Sequence, residues 1–259
     1  MFMNGAFFVA LPLGALLFAG GFLLARRVSS RKGKIALLLS LLLCLPGASF
    51  IAYYTHLFGE PVWYIEFRSI NNIEILSGCW GLPMGLLVGW NNRRMLTASL
   101  LALALISLPF IKPILTPVDV AGQLHDEWSD GVCLQTTSAT CGPASLATIL
   151  AGYGMHCSER AIACRSYSSM GGTENWYLIR YARQQGFQVH CRHERELARI
   201  PMPAIIGIGT AHYGHFITLL GVEQGRYSIG DPLIGRMSLS RQEFDEKYRL
   251  SGFVMQVTR

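Results

Sequence analysis

Gln135-Thr136-Thr137-Ser138-Ala139-Thr140-Cys141-Gly142-Pro143 runs directly into Ala144-Ser145-Leu146-Ala147-Thr148-Ile149-Leu150, joining a polar stretch to an apolar helical run. The run predicts a helix from Cys141 to about Tyr153, stopped by Gly154. Cys141 then stands at the helix start, where about half a positive charge from the aligned peptide dipoles favours thiolate over thiol. Gln135, a short distance upstream, can fold back as a hydrogen-bond donor.

Downstream, Ser158 caps a second helix with Glu159 in its first turn. A third starts at Thr173-Glu174, runs over Trp176–Gln185 and stops at Gly186. The pattern then changes. Phe187–Cys191, Ala204–Ile208, His215–Val222, Tyr227–Ile229, Arg236–Leu239 and Gly252–Val257 predict short strands, with a further short helix over Ser240–Lys247. Helices first and a sheet second predict an α+β domain with the helices on one side of an antiparallel sheet.

Upstream the composition differs. The 259-residue chain is 51% hydrophobic and 15% charged, too apolar for an ordinary soluble protein. The excess lies before Leu115, in runs at about Ala6–Ala25, Ile35–Tyr54, Ile73–Trp90 and Met95–Ile114. Each approaches the ~20 residues that cross a bilayer as a helix. The third, with Glu74 at one end and four glycines inside, also fits a re-entrant segment. The expected organisation is a transmembrane region of about four helices over 1–115, a linker over 116–131 stiffened at its entry by prolines, and a globular α+β domain over 132–259.

No basic residue precedes the first run, which makes it a poor signal peptide. Basic residues cluster instead at Arg26, Arg27, Arg31, Lys32 and Lys34, and again at Arg93 and Arg94. The positive-inside rule puts both clusters in the cytoplasm and the C-terminal domain outside it, periplasmic or extracellular. A third run that fails to span would reverse this parity. The net charge of +6 is modest and no basic patch interleaves with aromatics, so a nucleic-acid partner is not expected.

Singly, the polar residues of the C-terminal part have ordinary readings: a buried cysteine, a rim histidine in an apolar strand, an Asp-Pro turn, a surface glutamine. Their order suggests one site. Cys141 at a helix start would be the nucleophile, and His215 in Gly214-His215-Phe216 the base and later the acid. Asp231 in Gly230-Asp231-Pro232 would fix the imidazole tautomer, and Gln135 with the Cys141 backbone N–H would hold an oxyanion. His212 is a rival base, disfavoured by the glycine before His215 and the apolar strand after it.

The stretch from Gln135 through Cys141-Gly142-Pro143-Ala144-Ser145-Leu146-Ala147 resembles the active-site opening of the bacteriocin-processing, double-glycine leader peptidases of cysteine peptidase family 39. Gly171-Gly172-Thr173, Gln184-Gln185-Gly186-Phe187, Ile200-Pro201-Met202-Pro203-Ala204, His215-Phe216 and Gly230-Asp231-Pro232 extend the resemblance from about Val132 to the C-terminus. It implies a papain-like fold, a peptide or protein substrate, no cofactor, and the same four roles for Cys141, His215, Asp231 and Gln135. Thr140 departs from the acidic residue the family often carries before the cysteine. No G-x-x-x-x-G-K-[ST] occurs, and the apolar runs precede the peptidase-like part, so an arrangement other than the peptidase-transporter fusion is expected, with the lipid bilayer and a separate transporter as partners. A non-hydrolytic peptide-docking module, or an acyl transferase or amidase with the same triad, are the alternatives.

His190, Cys191 and His193 are metal-ligand types, but their spacing on one strand suits a tetrahedral site poorly, and no metal is expected. Setting Cys141 aside, Cys133, Cys157, Cys164 and Cys191 are even in number; up to two disulfides or free buried thiols both fit.

Overall fold

The computed structural model describes residues 4–57, 59–118, 122–209 and 214–259. The chain forms two compact units: one of Met3–Glu60 with Asn72–Leu115, the other of Pro61–Asn71 with Thr116–Arg259.

The first unit is helical. It holds α1 (Phe7–Arg27), α2 (Ser30–Leu43) and α3 (Leu45–Tyr54). After the excursion through α4 (Val62–Arg68), which belongs to the other unit, a 3-10 turn over Ile73–Trp80 leads into α5 (Gly81–Trp90), and α6 (Met95–Leu115) follows. Phe7–Arg27, Ile73–Trp90 and Met95–Leu115 are each long and apolar enough to cross a membrane. The second expected run, Ile35–Tyr54, is not one straight helix: α2 and α3 meet at a 54° bend. Pro46 lies in the first turn of α3, where its missing N–H and ring interrupt continuation from α2.

The glycines of the third run serve packing. A methyl added at Gly81 would collide with the Gly14 carbonyl, and one at Gly85 with the Phe18 carbonyl. Gly81, Gly85 and Gly89, spaced by four, therefore let α1 and α5 touch backbone to backbone. The outer face is leucine-rich, with Leu16, Leu38, Leu39, Leu96 and Leu100 largely exposed.

The second unit is α+β. A short hairpin of β1 (Trp128–Ser129) and β2 (Val132–Cys133) precedes α7 (Cys141–Gly152), α8 (Glu159–Arg165) and α9 (Asn175–Gln184). Then come β3 (Gln188–His193), β4 (Ala204–Gly209), β5 (Gly214–Glu223), β6 (Arg226–Asp231), β7 (Gly235–Leu239), α10 (Arg241–Lys247) and β8 (Arg249–Thr258). Strands β3 to β8 form one antiparallel sheet in the order β3-β8-β4-β5-β6-β7.

Side chains alternate across the sheet as period-two strands require. Ile205, Met255 and Val257 pack against Leu146, Ile149 and Leu150 of α7 and Leu178 and Ile179 of α9. Ile206, Ile208, Ile217, Leu219 and Val254 pack on the other face with Phe244 and Tyr248. Both faces are thus covered: α7, α8 and α9 lie on one side as expected, while α10 buries Phe244 on the other. The start of α10 has reciprocal hydrogen bonds between Ser240 and Glu243, a capping box.

Of the stretch expected as a linker, Val118 and Leu124 are buried with Ala139 and Ala163, and Trp128–Ser129 is a strand. Asp130 and Gly131 both take positive φ (48° and 77°), as a two-residue hairpin turn demands. Gln224 and Gly225 do the same between β5 and β6 (49° and 75°), and fix the pairing of the strands that bear His215 and Asp231.

Candidate active site

Cys141 is the first residue of α7 and is 9% exposed. The turn before it is closed by Thr140, whose Oγ1 accepts the Thr137 N–H at 3.1 Å and donates to the Thr137 carbonyl at 3.0 Å. Two contacts register the helix start against the sheet. The Ser145 hydroxyl donates to the Phe216 carbonyl at 3.2 Å, and Gly142 abuts Leu178 and Phe216 so closely that a Cβ would lie 2.8 Å from Leu178. The nucleophile candidate is therefore seated directly beside β5, the strand of His215.

His215 Nε2 lies 2.9 Å from Asp231 Oδ1, with the imidazole 9% and the carboxylate 2% exposed. With Nε2 occupied, Nδ1 is the nitrogen left for the Cys141 thiol, which is close enough to interact with the ring. Burial pushes the imidazole down, but the hydrogen bond with Asp231 and then the neighbouring Cys141 outweigh it and raise the pKa to about 9. Burial works against the Asp231 carboxylate as well. The hydrogen bond with His215, the Leu233 N–H at 3.0 Å and the Tyr248 hydroxyl at 2.7 Å prevail, and hold it below the usual carboxylate range.

Gln135 sits on a loop tied to the same corner: its backbone N–H donates to the Pro232 carbonyl at 2.9 Å, one residue past Asp231. Its side-chain Nε2 donates to the Thr137 carbonyl at 2.7 Å, which uses one of its two N–H groups. The next residue, Thr136, is held by the buried Glu159 carboxylate, which accepts both the Thr136 N–H at 2.9 Å and its hydroxyl.

Two supports were not legible as such. Tyr248 follows a short polar helix, and nothing in its surroundings points to a carboxylate 17 positions upstream. Glu159 reads as a helix-start acid, and it does lie in the first turn of α8 behind the Ser158 cap. Its burial against Thr136 gives it a second task.

The remaining candidates do not converge. Among the described residues no three His, Cys, Asp or Glu side chains gather as a metal site; His190 and His193 are exposed on β3. His212 lies outside the described residues. All seven cysteines are free thiols, and burial pushes Cys133 and Cys191 up to about 12, which leaves them inert. Gly171-Gly172 is a turn closed by paired hydrogen bonds between Ser169 and Gly172.

A thiol at a helix start, an imidazole beside it and a buried carboxylate behind the imidazole can carry out acyl transfer from a carbonyl substrate. Comparison with known proteins places the domain in a family. Residues 130–259, half of the chain, match the profile of the peptidase C39 family. An uncharacterized protein of Methanothermobacter marburgensis is 31% identical over 126 residues, 48% of this chain and 86% of that protein. The probable microcin-H47 secretion/processing ATP-binding protein MchF of Escherichia coli is 28% identical over 142 residues, 53% of this chain and 20% of that protein. Among solved structures, the peptidase domain of Streptococcus ComA, a bi-functional ABC transporter involved in quorum sensing, aligns with a TM-score of 0.43 at 20% identity over 48% of this chain and 95% of that one. A double glycine motif protease from an AMS/PCAT transporter, in complex with the leader peptide, aligns with a TM-score of 0.43 at 22% identity over 54% and 95%. The chain belongs to the peptidase C39 family and is a cysteine peptidase.

Proposed function

We propose that this protein is a membrane-anchored endopeptidase that cuts peptides with Cys141 as nucleophile, His215 as base and acid, Asp231 as orienter and Gln135 as oxyanion donor. The observation that carries the reading is the buried 2.9 Å pairing of His215 with Asp231 beside a cysteine at a helix start. The thiol proton passes to His215 and the sulfur attacks the scissile carbonyl carbon. Negative charge gathers on the carbonyl oxygen, toward the free N–H of Gln135 Nε2 and the Cys141 backbone N–H. The C–N bond breaks as His215 returns the proton to the leaving amine. A water molecule, deprotonated by His215, then attacks the thioester and releases the acid.

Anchoring is supported by three helices of membrane-spanning length and by their leucine-covered exterior, which suits lipid rather than water. The basic clusters at Arg26–Lys34 and Arg93-Arg94 favour a cytoplasmic side for those loops, and so a C39 domain facing out of the cytoplasm across a bacterial inner membrane. The substrate in this reading is a peptide delivered by a separate transporter. Likeness to a secretion/processing protein supports a secreted, processed peptide as its class.

The test compares new protein N-termini in cells carrying the wild type or Cys141→Ala. Cleavage sites lost in the variant, with the domain still folded, name the substrate and its compartment. Unchanged processing in the variant sinks the proposal.

A further inference from the structure

Helix α4 originates between two apolar segments but is built into the C39 unit. Seven residues do not hold a helix alone, so its fold comes from packing. Tyr64, Ile65 and Arg68 are buried, and Ile65 joins the core cluster of Leu146, Leu178 and Val189. The Arg68 guanidinium stacks over Trp176 at 4.1 Å and donates to the Tyr64 hydroxyl at 3.1 Å. Arg180 donates to the Arg68 carbonyl, and Arg183 pairs with Glu66 at 2.8 Å while also donating to the Val189 carbonyl. Trp176, Arg180 and Arg183 share one face of α9, spaced as i, i+4 and i+7. The same helix presents Leu178 to Gly142, the neighbour of Cys141.

We infer that α4 is a wall of the catalytic domain supplied by the loop between the second and third apolar segments, so that loop and domain occupy the same face of the bilayer. This rests on reading the apolar helices as membrane-spanning. A chain that leaves the domain at Asn71 and re-enters it at Thr116 must cross the bilayer an even number of times in between. Ile73–Trp90 and Met95–Leu115 supply two crossings. A re-entrant Ile73–Trp90 would leave one crossing and strand α4 on the wrong side. The Arg93-Arg94 turn between the two spans therefore lies on the opposite face. By bracing α9, α4 also steadies the seat of Cys141.

The test uses the full chain in native membranes, with a protease-cleavable tag inserted after Gly59, after Arg93 or after Arg259 in separate versions. The expected result is that the tags at 59 and 259 are cut from the same side of sealed vesicles and the tag at 93 from the other. Opposite sides for 59 and 259 in an integral protein overturn this inference alone. Release of the protein by alkaline carbonate without detergent overturns the membrane reading and the inference together. In the untagged full chain, Ile65→Asp and Arg68→Ala are each expected to lower the temperature at which peptidase activity is lost by several degrees and to increase proteolysis within the C39 domain, with membrane insertion unchanged. Wild-type thermal inactivation in both variants refutes the role of α4 as a wall of the domain.

Discussion

The Tyr248 hydroxyl donates a 2.7 Å hydrogen bond to Oδ2 of Asp231, whose other oxygen faces His215. Burial, and then the adjoining carboxylate, push the Tyr248 hydroxyl above its usual range, which favours the protonated, donating form. Tyr248→Phe keeps the ring beside Phe244 and removes only this bond. A hydrogen bond to a charged group contributes about 1.5–3 kcal/mol, and most of that should appear as lost stability in chemical denaturation. With Asp231 in its proposed role as orienter of His215, catalysis should suffer through kcat rather than KM, because the Tyr248 hydroxyl is bonded to the Asp231 carboxylate. A variant with wild-type kcat and wild-type stability would show the contact to be idle.

The His215–Asp231 pair sets a pH window. His215 is raised to about 9 in the folded chain against about 6.5 unfolded, so its stabilising contribution is complete below about 6.5 and lost as pH rises through about 9. Asp231 is depressed, so its contribution is complete above about 4 and lost as pH falls through the lowered value. Thermal melts should show stability falling from about pH 6.5 to 9, and a His215→Gln variant should lack that slope. The alkaline limb of kcat/KM should lie near 9 in the wild type. Asp231→Asn, which removes the charge but leaves an acceptor, should move the limb toward neutrality.

Glu159 is the next lever, because its buried carboxylate clamps Thr136 and thereby the loop bearing Gln135. Glu159→Gln preserves shape but turns one acceptor toward Thr136 into a donor. An unsatisfied buried group costs about 1–3 kcal/mol, so the unfolding midpoint should drop accordingly. If the clamp positions the oxyanion loop, kcat should fall about tenfold with KM nearly constant, equivalent to about 1.4 kcal/mol of lost transition-state stabilisation. Loss of stability with kcat intact would assign Glu159 a purely structural role.

Local signals made much of this architecture readable. Ser158 caps α8 by accepting the Ala161 N–H, and the strands from β3 to β8 follow the runs of β-branched residues to within a few positions. His215 and Asp231 come together because their strands are neighbours joined by Gln224-Gly225, a relation the short strand lengths already implied. The Asp130-Gly131 turn is a strong hairpin signal, yet strands of two residues carry no periodicity of their own, so the β1–β2 hairpin reads as linker. Helix α4 was hidden for a different reason. Val62–Arg68 looks like interfacial loop, and only long-range burial of Ile65 and Arg68 reveals where it belongs. Likewise, the four glycines that seemed to weaken the third span instead pack against α1, a partner that is distant in sequence.

Gln135 offers the sharpest separation between binding and chemistry. Its Nε2 is oriented by the Thr137 carbonyl at 2.7 Å, and the proposed role assigns its second N–H to the developing oxyanion. Gln135→Ala should lower kcat by roughly 10²–10³, about 3 kcal/mol, while KM changes little, since the donor matters only when charge develops. Gln135→Glu should be worse. A carboxylate there would oppose the Thr137 carbonyl and repel the oxyanion, and protonating it at low pH would partly restore turnover. Single-turnover acylation with a peptide ester reads both effects directly. An Ala variant that acylates at the wild-type rate would remove Gln135 from the oxyanion hole and leave the Cys141 N–H to hold the charge.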